Sequence, residues 1–444
     1  MMPTPVPPTP PPSPDDPLRL LAPLRRQLRR PQGKENELES LRPRLEATAT
    51  AVTALLITAT APLPAPLRIL AQALSETYGL WITRLEEGGQ AAESEARLAL
   101  LNQLLLSLMT HNAPPRDLWR RALKLTPVAS EHHGTLGAML AMTIIHPEGY
   151  SPRALWFLRS LLLREGYQVA LRQLPPDQPE GWHWLDSQGN FSNTSLRISR
   201  PTANRQLLFF DCTALAARTE AVLEAVQENP GHPLLQEALM PLAEVQSTLR
   251  RAAEQWHSPA QRRFSRRRQD SRISLCTRLD QLWSSLGEGT PEPTEISDWM
   301  VLNESAGGYA LMHAKGPISG LQAGSALGLR LEGKPWSLCL VRWVRSENSA
   351  HVEVGVELLS PQGQPVRLTL PGREPQPAFL MPAVAGQETR ETLLAPREDW
   401  GDVNTFTLLT EKSGQLRITS CLRGAPRHQT SGIEVFEFQR IGRS

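Results

Sequence analysis

The period of the hydrophobic pattern changes near Arg262, and that change limits the fold more than any other feature of this chain. Before it, apolar residues return at helical spacing. After it, they alternate one by one. Residues three or four apart share one side of a helix, whereas strict alternation turns one face of a strand toward a core. The chain therefore reads as α+β and multidomain. A mostly α-helical N-terminal module precedes a C-terminal antiparallel β-barrel with an extra β-subdomain.

The helical part is rich in Leu, Ala, Arg, Gln and Glu. In ARLALLNQLLLSLM, Leu98, Leu100, Leu101, Leu104, Leu105 and Leu108 form a broad apolar face. In SPRALWFLRSLLLREG, Ser151 offers an N-cap, Pro152 suits the first helical position and Gly166 supplies a stop. Such segments fill residues 16–255, separated by Pro or Gly, as in an array of short antiparallel helices. Residues 1–15 are proline-rich and polar, and predict a disordered tail. Near 167–212 the pattern switches to alternation, with turn residues from Asp186 to Asn190, and predicts a small β-hairpin insert.

Residues 256–370 carry the period-two pattern. Val352, Val354, Val356 and Leu358 alternate with His351, Glu353, Gly355 and Glu357. Cys339, Val341 and Trp343 alternate with Leu338, Leu340, Arg342 and Val344. Short strands with turn residues between them predict a barrel or sandwich, with Trp343 on its core face. Trp336, at the start of its strand, is not assigned to either face. Residues 371–444 repeat the texture in AFLMPA, ETLLAP, NTFTLLTE, GQLRITSCL and GIEVFEFQR. They form either an additional β-subdomain or an extension of the first barrel.

The net charge of +2 excludes a whole-molecule basic field able to hold DNA or an anionic membrane. Charge is concentrated instead. Arg262, Arg263, Arg266, Arg267, Arg268, Arg272 and Arg278 stand close together against a single acid, Asp270. Cys212, Cys276, Cys339 and Cys421 are far apart and form no CxxC, which argues against zinc and disulfides and for a reducing cytoplasm. The apolar run from Ala51 to Ala61 is too short to span a bilayer, and the proline-rich start lacks the features of a secretion signal. HExxH, GxSxG and phosphate-cradling glycine loops are absent from the sequence. The expectation is a protein without catalytic, cofactor or metal site.

Two short motifs carry chemistry. The first is RRxxxR, formed by Arg267, Arg268 and Arg272 just ahead of the strand ISL. Guanidinium forks to two acceptors, clamps phosphate and pairs with the O6 and N7 of guanine. Arg263 and Arg267 form an overlapping RxxxR, so spacing alone leaves the register open; Arg268–Arg272 is the pair that abuts the strand. The second motif is NESAGG. Asn303 presents a donor and an acceptor, Ser305 a hydroxyl, and Gly307 and Gly308 allow close approach to the backbone. Taken singly, the first reads as a solvated linker and the second as an ordinary turn.

In this order, followed by VRWVR and VEVGVELL, the stretch from about Arg262 to Leu370 resembles the PilZ domain, a family of cyclic di-GMP receptors. The resemblance implies a six-stranded antiparallel barrel. It implies that Arg268 and Arg272 hold the phosphates and guanines of cyclic di-GMP, with Arg267 assisting. Asn303, Ser305 and Gly308 match the family's D/N-x-S-x-x-G, which receives a guanine. The expected protein is a cytoplasmic bacterial signalling receptor whose helical module engages an unidentified protein partner. Its arginine arm is expected to stay mobile until a dianionic ligand draws it onto the barrel. The alternatives are a ligand-free PilZ-like assembly protein, for pili for example, and nucleic-acid binding through the arginine run. The motif arginines argue against the first. The scarcity of aromatics near the arm, where Phe264 is one, argues against the second. Between the motifs, LDQLWSSLGEGTPEPTEIS has a partly helical pattern and predicts an insert that interrupts the first barrel strand.

Overall fold

Leucine at helical spacing builds the first half of the molecule. The structure, a computed structural model, describes residues 15–30, 35–59, 63–87, 92–126, 134–164, 167–178, 181–186, 207–229, 231–257, 267, 271–286, 291–318, 320–348, 351–383, 390–397, 403–412, 415–430 and 432–441. Residues 1–14 of the expected N-terminal tail, Gly166, and much of the segment around the expected hairpin turn lie outside the described residues; Asp15, the last residue of that tail, already opens the first helix.

Among the described residues, seven α-helices come first: α1 (Asp15–Leu28), α2 (Glu35–Thr58), α3 (Ala65–Glu87), α4 (Glu93–Met109), α5 (Leu118–Leu125), α6 (Gly134–Ile144) and α7 (Pro152–Leu162). α4 is apolar nearly all round, and only Leu98 of its six patterned leucines is exposed. A helix of that kind belongs at the centre of a bundle, and α4 packs against α3, α5, α6 and α7. The predicted start of α7 is present: the Ser151 hydroxyl accepts a hydrogen bond from the Ala154 N–H, and Pro152 occupies the first turn.

Three short strands follow, β1 (Ala170–Arg172), β2 (Trp182–Asp186) and β3 (Leu207–Asp211), in the order β1-β3-β2. The β2–β3 pair is the expected antiparallel couple, and β1 adds a third strand on the other side of β3. Leu185, Leu208 and Phe210 join the core of the helices. Helices α8 (Thr213–Glu228), α9 (Pro233–Glu237) and α10 (Leu242–His257) complete the module. Among the described residues, no helix is long and apolar enough to cross a membrane.

The β-rich half forms two closed barrels. The first contains β4 (Arg272–Cys276), β5 (Ile296–Ser305), β6 (Gly308–Lys315), β7 (Ala326–Leu331), β8 (Ser337–Asn348) and β9 (His351–Ser360), closed in the order β4-β5-β6-β9-β8-β7. Its core holds Trp299, Val301, Leu311, Leu329, Cys339, Val341 and the alternating Val352, Val354 and Val356. The second contains β10 (Gln364–Thr369), β11 (Gln376–Met381), β12 (Thr392–Pro396), β13 (Thr405–Lys412), β14 (Gln415–Gln429) and β15 (Ile433–Ile441), in the order β10-β11-β12-β15-β14-β13. Counting each barrel's strands from its own first strand gives the same order, 1-2-3-6-5-4, in both. Residues 364–369, grouped with the first barrel on sequence texture, supply the first strand of the second barrel.

The expected insert is helix α11 (Leu279–Ser285), and it leaves β4 uninterrupted: Arg272 to Cys276 pair in register with Met300 to Ile296. α11 lies between the barrels. Leu282 is buried there with Trp336, Leu338, Phe379 and Val435. The Trp283 indole N–H donates to the Val366 and Ala378 carbonyls at 2.8 and 3.1 Å, and the Arg367 guanidinium stacks over its ring.

One residue departs from its expected face. Trp343 is half-buried and lies outside the barrel core. The pairing of β8 with β9 slips between Val341 and Trp343, so Val341 and Val344 both face inward while Trp343 stands outside. A bulge of this kind reverses the facing of every residue beyond it.

The helical module sits on β8. The Arg251 guanidinium of α10 donates to the Arg342 carbonyl at 3.2 Å and also to the Gly149 carbonyl. Arg68 of α3 donates to the Leu63 carbonyl at 2.8 Å and the Ser346 hydroxyl at 3.0 Å. The Ser346 N–H points to His111 Nδ1 at 3.4 Å. Burial pushes the His111 imidazole down to about 4; Glu148 opposes this shift, and Arg345 and Arg68 reinforce it.

Two outcomes follow from these junctions. Trp283→Ala removes the indole that ties α11 to the second barrel, and is expected to cost about 3 kcal/mol in chemical denaturation. His111 is neutral in the folded protein, whereas the unfolded chain takes up a proton below its ordinary value of 6.5. Its contribution to stability is therefore intact above pH 6.5 and is lost as pH falls toward 4. Asparagine tolerates the positive φ of 56° at this position, so melting curves of His111→Asn are expected to show a shallower loss between pH 6.5 and 4 than the wild type.

Candidate functional site

The arginine arm and NESAGG meet on β5. Ahead of β4 the arm continues to run antiparallel to β5: the Val301 N–H donates to the Ser271 carbonyl at 2.9 Å, and Arg267 and Glu304 exchange two backbone hydrogen bonds of 2.9 Å. Backbone pairing thus holds Arg267 on the barrel, within the second motif. This differs from the expectation of an arm that is free until a ligand arrives, since strand pairing supplies the attachment locally. Arg268 lies outside the described residues.

Cross-strand partners share a face, and the pairing sets three rows on the outside of the barrel. One runs Arg272, Met300, Met312, Glu353, Arg345. The next runs Asn303, Ala310, Gly355, Trp343. The third contains Ser305, Gly308 and Glu357. Neighbouring rows are about 7 Å apart along a strand, so Arg272, Asn303 and Ser305 are brought together on one outer face. The exposed Arg267 is not brought there in the same sense. It pairs with Glu304, which stands on the opposite side of the strand from Asn303 and Ser305. Among the described residues, the guanidinium of Arg272 and the side-chain amide of Asn303 make no hydrogen bond or ion pair.

Gly308 shapes the turn. Its φ is +147°, and a Cβ there would lie 2.0 Å from the Val356 carbonyl oxygen. Only glycine lets the start of β6 approach β9 this closely. Ser305 donates its hydroxyl to the Gly308 carbonyl at 3.3 Å, which closes the same turn. Beside Gly308, Glu357 lies 3.5 Å from Arg342 and 3.8 Å from His428 of the second barrel. Burial pushes the His428 imidazole below its ordinary value, with Glu357 opposing. Arg342 and Arg345 on β8 stand beside Glu357 and Glu353, which leaves Arg272 as the cation of the face that makes no ion pair among the described residues, next to an amide and a hydroxyl. That chemistry suits an anionic ligand with hydrogen-bonding edges. Sequence reasoning missed the outward position of Trp343. Its one visible signal is Gly355, the residue directly across from it on β9.

Residues 287–365 match the family described as "Cyclic-di-GMP receptor FimW, middle PilZ domain". The first barrel is a PilZ domain. The match covers β5 to β9 of this PilZ domain and includes Asn303, Ser305 and Gly308, while the arm and β4 precede it. The chain is also similar to the cyclic-di-GMP receptor FimW of Pseudomonas aeruginosa, with 36% identity over 103 residues. The aligned part is 22% of this chain and 17% of that relative's length. The likeness therefore concerns one part of each protein.

The turn of the PilZ domain yields a direct expectation. Gly308→Ala forces a Cβ into the Val356 carbonyl at a strained φ, and is expected to lower stability by at least about 2 kcal/mol, read by urea denaturation.

Proposed function

We propose that this protein is a non-enzymatic cyclic di-GMP receptor, with the ligand held on the outer face of β4, β5 and β6. The observation that carries this reading is the meeting of the two motifs. Among the described residues, Arg272 and Asn303 share one face without a side-chain hydrogen bond or ion pair, in a barrel whose matched family is a cyclic di-GMP receptor domain. In this reading Arg272 and Arg268 hold the phosphates and guanine edges. Asn303 and Ser305 receive a guanine, and Gly308 keeps the turn open to the ligand. Arg267 anchors the arm through its backbone and adds positive potential.

The helical module is the proposed output, facing a protein partner in the cytoplasm. Support for a relay comes from β8, which is both a wall of the barrel and the strand on which Arg251 and Arg68 of the helical module rest. A ligand that favours one arrangement of the arm and the neighbouring strands shifts the population of module orientations. The four buried free thiols suit a reducing compartment.

Calorimetric titration with cyclic di-GMP tests the site. The wild type is expected to bind, and Arg268→Ala or Arg272→Ala to weaken binding about ten- to a hundredfold, the loss of a charge-assisted contact of about 1.5–3 kcal/mol. Undiminished affinity in both variants, or a wild type that does not bind, overturns the assignment.

A further inference from the structure

The packing of the two barrels leaves one bare side of each kind. The side of the first barrel formed by its strands one, four and five packs against the side of the second formed by strands two, three and six. Leu338 and Leu340, the second and fourth residues of β8, belong to that contact and are 0% and 1% exposed. The second barrel repeats the strand order, and its fifth strand, β14, has Leu416 and Ile418 at the same second and fourth places. Alternation from Cys421 in the core turns both outward, and they are 63% and 66% exposed. Leu409, across from Ile418 on β13, and the exposed Leu422 and Ile441 extend the apolar surface. The two aliphatic positions that one barrel buries are thus bare on the other. A continuous exposed apolar surface of this kind marks a docking face.

What fits such a side, within this chain, is the two-three-six side of a barrel of the same topology. The second barrel's own is already covered. The first barrel's, on β5, β6 and β9, is open and carries the half-buried Met300 and Met312. Thioethers adapt to irregular apolar partners. The charges are complementary too. The exposed Glu411 stands in the row of Leu416, and the exposed Arg272 in the row of Met300. Among the described residues, neither makes an ion pair. The two free sides lie at opposite ends of the barrel pair, so only a second copy can bring them together.

We infer that this protein self-associates head to tail, the free side of the second barrel in one copy docking on the open face of the PilZ domain in the next. The contact repeats the one already made inside the chain. It is heterologous, so every oligomer keeps one free side of each kind unless a ring closes. The docking face is also the proposed ligand face, and a second copy therefore competes with cyclic di-GMP for it. The competition rests on the cyclic di-GMP reading; the self-association rests on the packing alone.

Sedimentation velocity of the full chain across the micromolar range tests the contact. The wild type is expected to sediment faster as its concentration rises. Ile418→Glu blocks one side and Met312→Glu the other. Each is expected to associate at least about tenfold more weakly, because it places an unpaired charge in the apolar contact. Arg272→Glu, at an exposed position of the same face, replaces Met312→Glu if that variant does not fold. An equimolar mixture of the two blocked variants is expected to form a complex of two chains, since each keeps the side that the other has lost. A wild type that stays monomeric overturns the inference. So does an Ile418→Glu chain that associates like the wild type, or a mixture that stays monomeric. Cyclic di-GMP is expected to disperse the wild-type oligomers. If calorimetry shows the ligand bound through Arg272 while the oligomers persist, the shared face is overturned and the receptor reading stands. If the ligand does not bind but the mixture pairs, the receptor reading falls and the self-association stands.

Discussion

A one-residue slip between β8 and β9 decides what each side of the first barrel presents. Without it, alternation from Cys339 through Val341 would carry Trp343 into the core, and Val344 would stand outside. With it, Val344 fills the core beside Val352 and Val354, and the indole settles over Gly355. The missing side chain at Gly355 and the outward ring are two halves of one arrangement. A bulged backbone leaves a group outside the regular ladder, and here the Arg342 carbonyl receives the Arg251 guanidinium from α10. The same irregularity therefore shapes the outer face and gives the helical module a foothold.

That foothold is built from guanidinium–backbone contacts. Arg251 reaches the carbonyls of Gly149 and Arg342, and Arg68 reaches the Leu63 carbonyl and the Ser346 hydroxyl. Burial pulls both guanidiniums below their ordinary pKa, a sign that each charge is removed from water and repaid mostly by neutral acceptors. Such contacts are directional and satisfied only in one geometry. They specify where the module sits on β8 more than they add to its stability.

The fold class was legible because each half keeps one period over a long stretch. Leu100 to Leu105 cover α4, and Val352 to Val356 fix the inner face of β9. The candidate face was legible at Asn303, Ser305 and Arg272, whose identities mark a turn and a strand start. Three features were hidden for physical reasons. The bulge at Arg342 has no residue type that demands it. The facing of Arg267 depends on which residue of β5 it pairs with, a long-range choice that local spacing does not encode. The start of the second barrel at Gln364 was masked because alternation resumes at once after the Pro361–Gly363 turn, which reads like any turn between strands of one sheet. Leu338 and Leu340 also blurred the pattern, since the first half of β8 is buried on both sides, by its own core and by the second barrel.

The two barrels share a strand order but not an exposed face. In the first, the outer side of strands two, three and six, namely β5, β6 and β9, bears Asn303, Ala310 and Gly355. The corresponding strands of the second are β11, β12 and β15. Their outward residues Phe379, Met381, Leu394 and Val435 pack against Cys276, Ala326, Leu338 and Leu340 of the first barrel. The contact is head to tail: the side formed by strands one, four and five of one barrel meets the side formed by strands two, three and six of the next. Such a contact does not use up the same surface on both partners. It closes the second barrel's version of the face and leaves the first barrel's open. Of two barrels with one topology, the packing itself selects the one whose open face carries the motif residues.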